Sequence, residues 1–398
     1  MKSIIISLLF FSFNSFLFSN TTKIFKIGYI DLKNDVRYTT WGIHPVDIRS
    51  KYSIQKRAIE GAKLAIKDSI KFERLSKTVF VLEHLQVTDS KKLYSLLKSE
   101  KLKNYNAIIL DLELSKFKKI KPLINERTGM IFFNVSDSSN SFRTEACIKN
   151  LYHTYPSDTM KTDSIAQFLV KKKWNKTLLL SGSHYFDKQL SDSFRVSAKK
   201  FGIKIVEEKF FLNSNDPRAR NMNDLSFITK KRNFNSIFIS DIDGEFALGV
   251  PYATLDPVAV IGASGLTPKA WHWSYLRHGA PQLNGRFERL TGRRMTGRDW
   301  AAWVAIKSLV ESVLRTNSIE KKIIEQYLTS EDFTVDGSKG ISLSYRKINK
   351  QLRQTILLVS GNNWTTEVAP LEGFENRNNT LDSIGINVQN IACNQEEL

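Results

Sequence analysis

The 398-residue sequence is poor in the residues that usually form metal centres: it has only two cysteines and six histidines. The histidines are scattered without ligand spacing, and C-x-x-C, H-E-x-x-H, G-x-S-x-G and phosphate-loop motifs are absent. Ser183 and His184 are adjacent, but no carboxylate at a telling spacing would orient them as a catalytic pair. We therefore predict that the protein is not an enzyme and has no cofactor and no resident metal site.

Long apolar runs are missing after residue 18. The one such run, residues 4–18, follows Lys2 and precedes the small residue Ser19, which is typical of a secretory signal peptide. An uncleaved anchor is the alternative, although the run is short for a membrane span. We predict a signal peptide over residues 1–19 and an exported protein.

Acidic residues are outnumbered, with 40 Asp and Glu against 59 Lys and Arg, a formal net charge of +19. The lysines are spread along the chain, which favours a solvated basic surface over a nucleic-acid site, and we predict no nucleic-acid partner. In an oxidising compartment, Cys147 and Cys393 predict one disulfide; the alternative is that both are free and buried.

Strand and helix patterns alternate in two successive sets. Strands are predicted at 24–30, 78–85, 106–112 and 130–135, and again at 176–182, 203–211, 235–240 and 257–263. Helices are predicted between them at 54–70, 90–101, 115–125, 159–171, 188–201 and 216–231. Apolar strands without alternation indicate parallel sheets covered on both faces. The predicted fold class is α/β, with two Rossmann-like lobes, followed by three helical segments, two late strands and a loosely ordered polar tail.

Polar residues follow the predicted strands, where ligands bind to open parallel sheets. The candidate ligand-binding residues are Asp111, Glu113, Ser136, Asp137 and Ser138 in the first lobe, and Tyr185, Asp241, Asp243 and Gly265 in the second. Capping of the following helices is the alternative use of these side chains. Because carboxylates dominate this set, we expect a ligand that is cationic, a metal, or rich in hydroxyl groups.

Residues 264–314 contain four of the seven tryptophans and an unusual share of the arginines. Trp271 and Trp273 with Arg277 could stack on a ring-containing ligand, or could pack the two lobes together. Trp300 and Trp303 lie on a predicted helix and are interpreted as packing residues.

The N-x-x-H-T-x-P-S sequence at 150–157 and the late helical pair at 286–314 resemble those of type I periplasmic substrate-binding proteins of the branched-chain amino acid class. The resemblance implies lobes joined by a three-strand hinge. It places residues 23–153 and about 272–330 in lobe one, and 154–271 and about 331–375 in lobe two, with a tail at 376–398. It also implies a periplasmic receptor that delivers a small ligand to an ABC transporter permease. The usual small, hydroxyl-rich loop after the third strand is replaced by Asp111-Leu112-Glu113-Leu114, so leucine is not predicted as the ligand.

Five further motifs resemble the receptor-like proteins associated with PQQ-dependent alcohol dehydrogenase systems. They are GLTPKAWH (265–272), GAPQLNGRFERLTGR (279–293), DWAAW (299–303), KGISLSYR (339–346) and QLRQTILL (351–358). This likeness implies a link to PQQ-dependent alcohol oxidation. An alternative function is a secreted partner or sensor that binds an exported dehydrogenase and transports no solute.

Overall fold

The structure is a computed structural model, and it describes residues 22–38, 57–117, 119–145, 148–212, 223–230, 233–242, 244–387 and 391. The predicted signal peptide, both cysteines of the predicted disulfide, and Asp243 lie outside these residues. Within the described ranges, no helix is both long enough and apolar enough to cross a membrane.

The first lobe contains a sheet of five parallel strands in the order β2-β1-β3-β4-β5. The strands are β1 (Lys23–Leu32), β2 (Thr78–Val87), β3 (Ala107–Asp111), β4 (Ile131–Asn134) and β5 (Leu151–His153). The helices are α1 (Ile59–Ser76), α2 (Ser90–Lys98), α3 (Ile120–Asn125) and α4 (Ser141–Thr144). Every residue of β3 and β4 is buried, as expected for strands with both faces covered.

The second lobe repeats this arrangement with four parallel strands in the order β7-β6-β8-β9. The strands are β6 (Lys176–Ser181), β7 (Lys204–Phe210), β8 (Ser236–Ser240) and β9 (Ala259–Gly262). The helices are α5 (Asp158–Lys171), α6 (Tyr185–Lys200), α7 (Leu225–Ile228) and α8 (Glu245–Ala253). The predicted α/β fold with two parallel sheets is confirmed.

The remaining chain adds three helices and two small antiparallel sheets. The helices are α9 (Ala280–Thr291), α10 (Gly297–Thr316) and α11 (Lys321–Leu328). One sheet pairs β14 (Ile356–Val359) with β10 (Thr267–Lys269) and β15 (Thr365–Ala369). The other joins β11 (Val335–Asp336), β12 (Ser342–Tyr345) and β13 (Leu352–Arg353).

Helix α10 packs against α1 in the core of lobe one. At Gly61 of α1, an added Cβ atom would overlap the backbone carbonyl oxygen of Asp299, so only glycine permits this approach. Trp271, Trp300 and Trp303 are buried in the same core, and the Trp271 and Trp300 rings are stacked with centroids 6.2 Å apart. Three of the four tryptophans of residues 264–314 therefore serve packing.

Strand β14 lies between the two large cores. Leu357 and Val359 join the core that contains β1, α1 and α10, whereas Leu358 joins the core of the second sheet. Leu343 and Tyr345 of β12 also pack into the first of these cores. The division of the chain into lobes at particular residues stays a prediction.

Two predicted helices differ from expectation within the described residues. The helix predicted at 115–125 is divided into a 3-10 turn at Leu114–Lys116 and α3. Pro122 has no N–H to donate, which is tolerated in the first turn of α3 but not inside a longer helix. In the described part of the helix predicted at 216–231, only α7 is helical, because Asp224 caps its start by accepting a hydrogen bond from Ser226 N at 2.9 Å.

The prediction of a loosely ordered tail is wrong for residues 376–387. Leu381 and Ile384 are buried, and the Asp382 carboxylate accepts hydrogen bonds from Arg346 Nε (2.7 Å) and Arg353 Nε (2.9 Å). The backbone N–H of Gly385 donates to Asp163 at 2.8 Å. A mostly polar segment is thus held in place by a few buried apolar groups and charged hydrogen bonds.

Candidate functional site

Two chain crossings between the lobes lie side by side. The first runs from β5 to α5 through His153, Thr154 and Tyr155. Gln351 Nε2 donates to the carbonyl oxygens of His153 (3.1 Å) and Tyr155 (3.3 Å), and Gln354 Nε2 donates to that of Thr154 (2.8 Å). One isolated backbone bridge, in which His153 N donates to the carbonyl oxygen of Lys350 at 2.9 Å, accompanies these side-chain bonds, so the crossings are joined without a continuous strand ladder.

Arg143 lies behind these crossings and is fully buried. Its guanidinium group donates to the Gln351 side chain, to the carbonyl oxygen of Ser139 (2.7 Å) and to that of Tyr155 (3.0 Å). Burial lowers the pKa of Arg143 to about 10, so the group remains cationic at neutral pH. Arg143 therefore ties the loop after β4 to both crossings.

A third crossing leads from β10 into Trp271 and meets the first turn of α10. A Cβ atom built at Gly297 would lie 3.1 Å from Ala270 Cβ and 3.6 Å from Tyr155 Cε2. The N-terminus of α10 is fixed by a capping box between Thr296 and Asp299. The start of α10 therefore lies where the first and third crossings come together.

The residues after β1, β3 and β4 (31–38, 111–117 and 134–139) are called the mouth of lobe one. Asp111 is fully buried there, and its carboxylate accepts hydrogen bonds from the hydroxyls of Tyr29 (2.9 Å) and Tyr38 (2.7 Å). Arg37 Nη2 lies 3.3 Å from the same carboxylate. Arg37 also forms an ion pair with Asp35. One guanidinium group thus joins two carboxylates.

Asp31, at the same edge of the sheet, is held by Arg57 and His84. Its carboxylate lies 2.8 Å from Arg57 Nη1 and 2.9 Å from His84 Nε2. Burial alone would raise the pKa of Asp31, but hydrogen bonds from His84 and Arg57 lower it below its usual value. Asp31 therefore stays ionised.

The other predicted residues of lobe one serve local structure. Asp137 is buried and accepts hydrogen bonds from the backbone N–H of Ser115 (3.0 Å) and of Ser139 (2.9 Å). Ser136 donates to the carbonyl oxygen of Leu112 at 3.1 Å. Glu113 forms an ion pair with Lys116 at 2.6 Å, and the Ser138 carbonyl oxygen accepts from Asp158 N at 2.8 Å.

The residues after β6 and β8 (182–187, 241–242 and 244–247) are called the mouth of lobe two. Asp241 is buried and accepts a hydrogen bond from Ala247 N at 2.9 Å. Asp187, which the sequence reasoning missed, accepts from Ile242 N (2.6 Å) and His184 N (3.2 Å). Burial and the neighbouring Asp241 raise the pKa of Asp187 to about 6.

Tyr185 and Gly265 lie at the surface of lobe two in different settings. Tyr185 is 63% exposed, and its hydroxyl accepts a hydrogen bond from Gln189 at 3.0 Å. Gly265 has a φ of +68°, and an added Cβ atom would overlap the carbonyl oxygen of Val260. Glycine is therefore required there by the backbone alone. Asp243 lies outside the described residues.

Three of the predicted carboxylates at the two mouths are closed off from solvent. Asp111, Asp137 and Asp241 are each at most 4% exposed, and protein donors occupy them as described above. Among the described residues, no three His, Cys, Asp or Glu side chains are grouped to hold a metal ion. These three carboxylates are therefore not accessible to a ligand without rearrangement. Glu113 and Glu245 keep accessible surface and Asp243 lies outside the described residues, so the acidic mouth and the contact of individual residues with a ligand stay predictions.

Cationic residues that the sequence reasoning did not select surround the first crossing. Burial alone would raise the pKa of Tyr155, but the charges of Lys161, Arg298 and Lys269 lower it below its usual value. Lys161 Nζ lies 5.1 Å from the centre of the Tyr155 ring. Asp158 opposes this effect and pairs with Lys161 at 3.1 Å, so three cationic side chains and one carboxylate act on Tyr155. Arg298 directly precedes the DWAAW motif and lies in the arginine-rich segment 264–314, and this position was the signal that the sequence offered.

No protein-family model matches the sequence, and no curated protein matches it. Solved structures do match. The closed form of the leucine-, isoleucine-, valine-, threonine- and alanine-binding protein of Brucella ovis has a TM-score of 0.70 at 10% identity, covering 92% of this chain and 97% of that one. A periplasmic binding protein of Burkholderia mallei has a TM-score of 0.67 at 11% identity, covering 94% and 99%.

A third solved structure is an ABC transporter solute-binding protein of R. palustris in complex with benzoate. It has a TM-score of 0.64 at 10% identity and covers 93% of this chain and 99% of that one. At these identities the likeness concerns the fold. The two lobes, their strand orders and the length covered show that the chain has the fold of the type I periplasmic binding proteins.

Proposed function

We propose that the protein is an exported receptor that closes its two lobes around a small solute and delivers it to an ABC transporter permease in the inner membrane. The observation that carries this proposal is the pair of similar α/β lobes joined by adjacent crossings. Solved proteins of this fold include one named for five amino acids and one that holds benzoate. In this proposal, the protein is a binding protein and not an enzyme.

The crossings supply the hinge in this proposal. The contacts of Gln351 and Gln354 with residues 153–155 are side-chain hydrogen bonds, which tolerate a rotation better than a continuous strand ladder does. A ligand that contacts both lobes stabilises the closed form, because only that form makes both sets of contacts. Arg143 keeps the crossings in register during the motion.

The ligand lies between the mouths in this proposal, next to the predicted residues. Those that retain accessible surface are the more direct candidates: Glu113, Ser138, Tyr185 and Gly265. Asp111, Ser136, Asp137 and Asp241 are buried, and they position the loops that line the cleft. Asp243 completes the predicted set.

A periplasmic location is part of the proposal, supported by the signal-peptide pattern of residues 1–19. The link to PQQ-dependent alcohol oxidation is supported by the five sequence motifs. Three of these motifs lie largely within α9, α10 and the β13–β14 region. They are thus part of the return of the chain to lobe one and of the second crossing.

The alternative function, a secreted partner of an exported dehydrogenase, depends on residues 264–314 as a binding surface. Trp271, Trp300 and Trp303 are at most 2% exposed. Burial of these large side chains removes the strongest anchors from a protein-binding surface. This favours the receptor.

The receptor proposal is tested by native mass spectrometry of the full chain purified from the periplasm without denaturation. We expect a bound small molecule that is released on denaturation. Thermal unfolding of the stripped and refolded protein with a solute panel is the companion measurement. A solute present at 100 times its Kd should stabilise the fold by about 2.7 kcal/mol. Absence of any co-purified molecule together with no stabilising solute would contradict the proposal.

A further inference from the structure

Two arginine side chains between the lobes have hydrogen-bonding capacity that the protein leaves unused. Arg37 follows β1, and its side chain is 4% exposed. Its Nη1 atom is buried and has no hydrogen-bond partner in the described part of the chain. The same holds for the Nε atom of Arg298, in the first turn of α10. Buried donors without acceptors are costly in a folded protein, and a bound acceptor relieves that cost.

Arg298 is close to both the mouth of lobe one and the first crossing. Its charge acts on Asp35 and Tyr38 in that mouth, and on Tyr155 in the crossing. The preceding residue, Gly297, lies against Tyr155, as described above. The two arginines therefore belong to one region, since the charges of both act on Tyr38.

The acidic partners of Arg37 are already satisfied. Nε and Nη2 of Arg37 bind Asp35 and Asp111, and this fixes the plane of the guanidinium group. Tyr38 is held by Asp111 at 2.7 Å. These contacts preorganise the free edge of Arg37 before a ligand arrives, which reduces the entropy lost on binding.

We propose that Arg37 and Arg298 bind an anionic group of the ligand, specifically a carboxylate, between the two lobes; this inference rests on the proposed receptor function. Guanidinium groups bind carboxylates through strong, charge-assisted hydrogen bonds. The unused donors are Arg37 Nη1, which carries two N–H bonds, and Arg298 Nε, which carries one, and a carboxylate offers two oxygens that can accept them. The N-terminus of the 20-residue helix α10 adds a favourable potential for an anion at Arg298.

The charges around this region favour an anion over the cationic ligand that the sequence suggested. Lys161 and Lys269 also act on Tyr155. The carboxylates of the mouth are taken up by Arg37, Arg57, His84 and tyrosine hydroxyls. In the mouth of lobe one, a cation would therefore meet positive charge and carboxylates that are already paired, whereas an anion would meet the unused donors of Arg37 and Arg298.

The experiment compares carboxylates with analogues of the same shape that lack the charge. Isothermal titration of the full mature chain uses benzoate against benzyl alcohol, L-leucine against L-leucinol, and inorganic phosphate as a further anion. We expect a carboxylate to bind and its uncharged analogue to bind at least tenfold more weakly. The variant R298Q should weaken carboxylate binding about 10- to 100-fold, the usual worth of a hydrogen bond to a charged group.

The matched control is R315Q, because Arg315 is an exposed residue of the same helix that pairs with Glu311. It should leave binding unchanged. R298K keeps the charge but loses the planar donors, so its loss should be smaller than that of R298Q. R298K also serves if R298Q does not fold, and R37K tests the second arginine in the same way.

The outcomes separate this inference from the proposed function. Equal binding of a carboxylate and its uncharged analogue, or unchanged affinity in R298Q, overturns the inference and leaves the receptor proposal intact. Tighter binding of phosphate than of every carboxylate overturns the assignment of a carboxylate. A solute panel in which uncharged or cationic solutes bind and no carboxylate does so also overturns it. If no solute of any charge binds at millimolar concentration, the receptor proposal and the inference both fail.

Discussion

The two lobes share a strand order but hold the carboxylates at their mouths in different ways. In lobe one, Asp111 is bound by a guanidinium group and two tyrosine hydroxyls. In lobe two, Asp187 and Asp241 accept hydrogen bonds from backbone N–H groups and lie near each other. Hydrogen bonds from His84 and Arg57 lower the pKa of Asp31 in lobe one, whereas burial and the neighbouring Asp241 raise that of Asp187 in lobe two. In the proposed receptor, recognition of charge would therefore belong to lobe one.

The largest expected effect tests this difference with equivalent residues. D111A removes the acceptor of Tyr29 and Tyr38 and leaves Arg37 with one carboxylate partner. We expect it to lower the free energy of unfolding by about 3–5 kcal/mol. D241A, after the matching strand of lobe two, should cost about 1–2 kcal/mol, as loss of a helix cap does. Urea unfolding of both variants measures the two values.

Equal losses in D111A and D241A would contradict the comparison, because they would mean that the two carboxylates do equivalent structural work. A loss in D111A below that in D241A would mean that the ion pair with Arg37 contributes little net stability.

A second prediction concerns Gly265 in lobe two, where a close backbone contact, and not a charged group, determines which residue fits. G265A should destabilise the protein by about 2–4 kcal/mol, because a Cβ atom there would overlap the Val260 carbonyl oxygen. Gly292 has the same φ of +68° but open space around it. G292A should therefore cost only about 1 kcal/mol of conformational strain. Thermal unfolding of both variants isolates the contact from the strain, and similar losses would show that the Val260 contact is unimportant.

The smallest effect is a pH dependence of lobe two. Burial raises the pKa of Asp187 to about 6, above the usual value for an aspartate in an unfolded chain. The folded protein then binds this proton more tightly than the unfolded chain does. The contribution of Asp187 to the free energy of unfolding is therefore fully present below the pKa that this residue has in the unfolded chain. It is lost as the pH rises through about 6.

This pH dependence is measured against D187N, which cannot titrate. The unfolding free energy of the wild type, relative to the variant, should fall by about 1 kcal/mol between pH 4 and pH 7, after allowance for solvent screening. A constant difference would mean that Asp187 has an ordinary pKa, and lobe two would then resemble lobe one in holding its charge.

Much of the fold was predictable because it depends on local patterns. The buried strands β3 and β8 have continuous apolar sequences, and the edges of the sheets follow from them. Contacts between distant residues were not predictable. Nothing in the sequence pairs Asp31 with His84, 53 residues away. The polar composition of 376–398 predicted a loosely ordered tail. It did not reveal that only two buried side chains, Leu381 and Ile384, are enough to pack its described part.

The candidate site shows the same limit. The sequence placed Asp111 and Asp241 correctly after their strands, since strand ends follow from hydrophobic patterns. It could not show that protein donors already occupy these carboxylates, because the donors come from other elements. Arg298 went unselected for the same reason: its unused donor is apparent only from its surroundings in three dimensions.

The central claim is that two lobes close on an anion held by Arg37 and Arg298. Small-angle X-ray scattering of the full mature chain tests it, with and without saturating amounts of the carboxylate that binds most tightly in the titrations. We expect a smaller radius of gyration with the carboxylate, no change with its uncharged analogue, and no compaction of R298Q at the same concentration. An unchanged radius of gyration in the wild-type protein at saturation would contradict the claim.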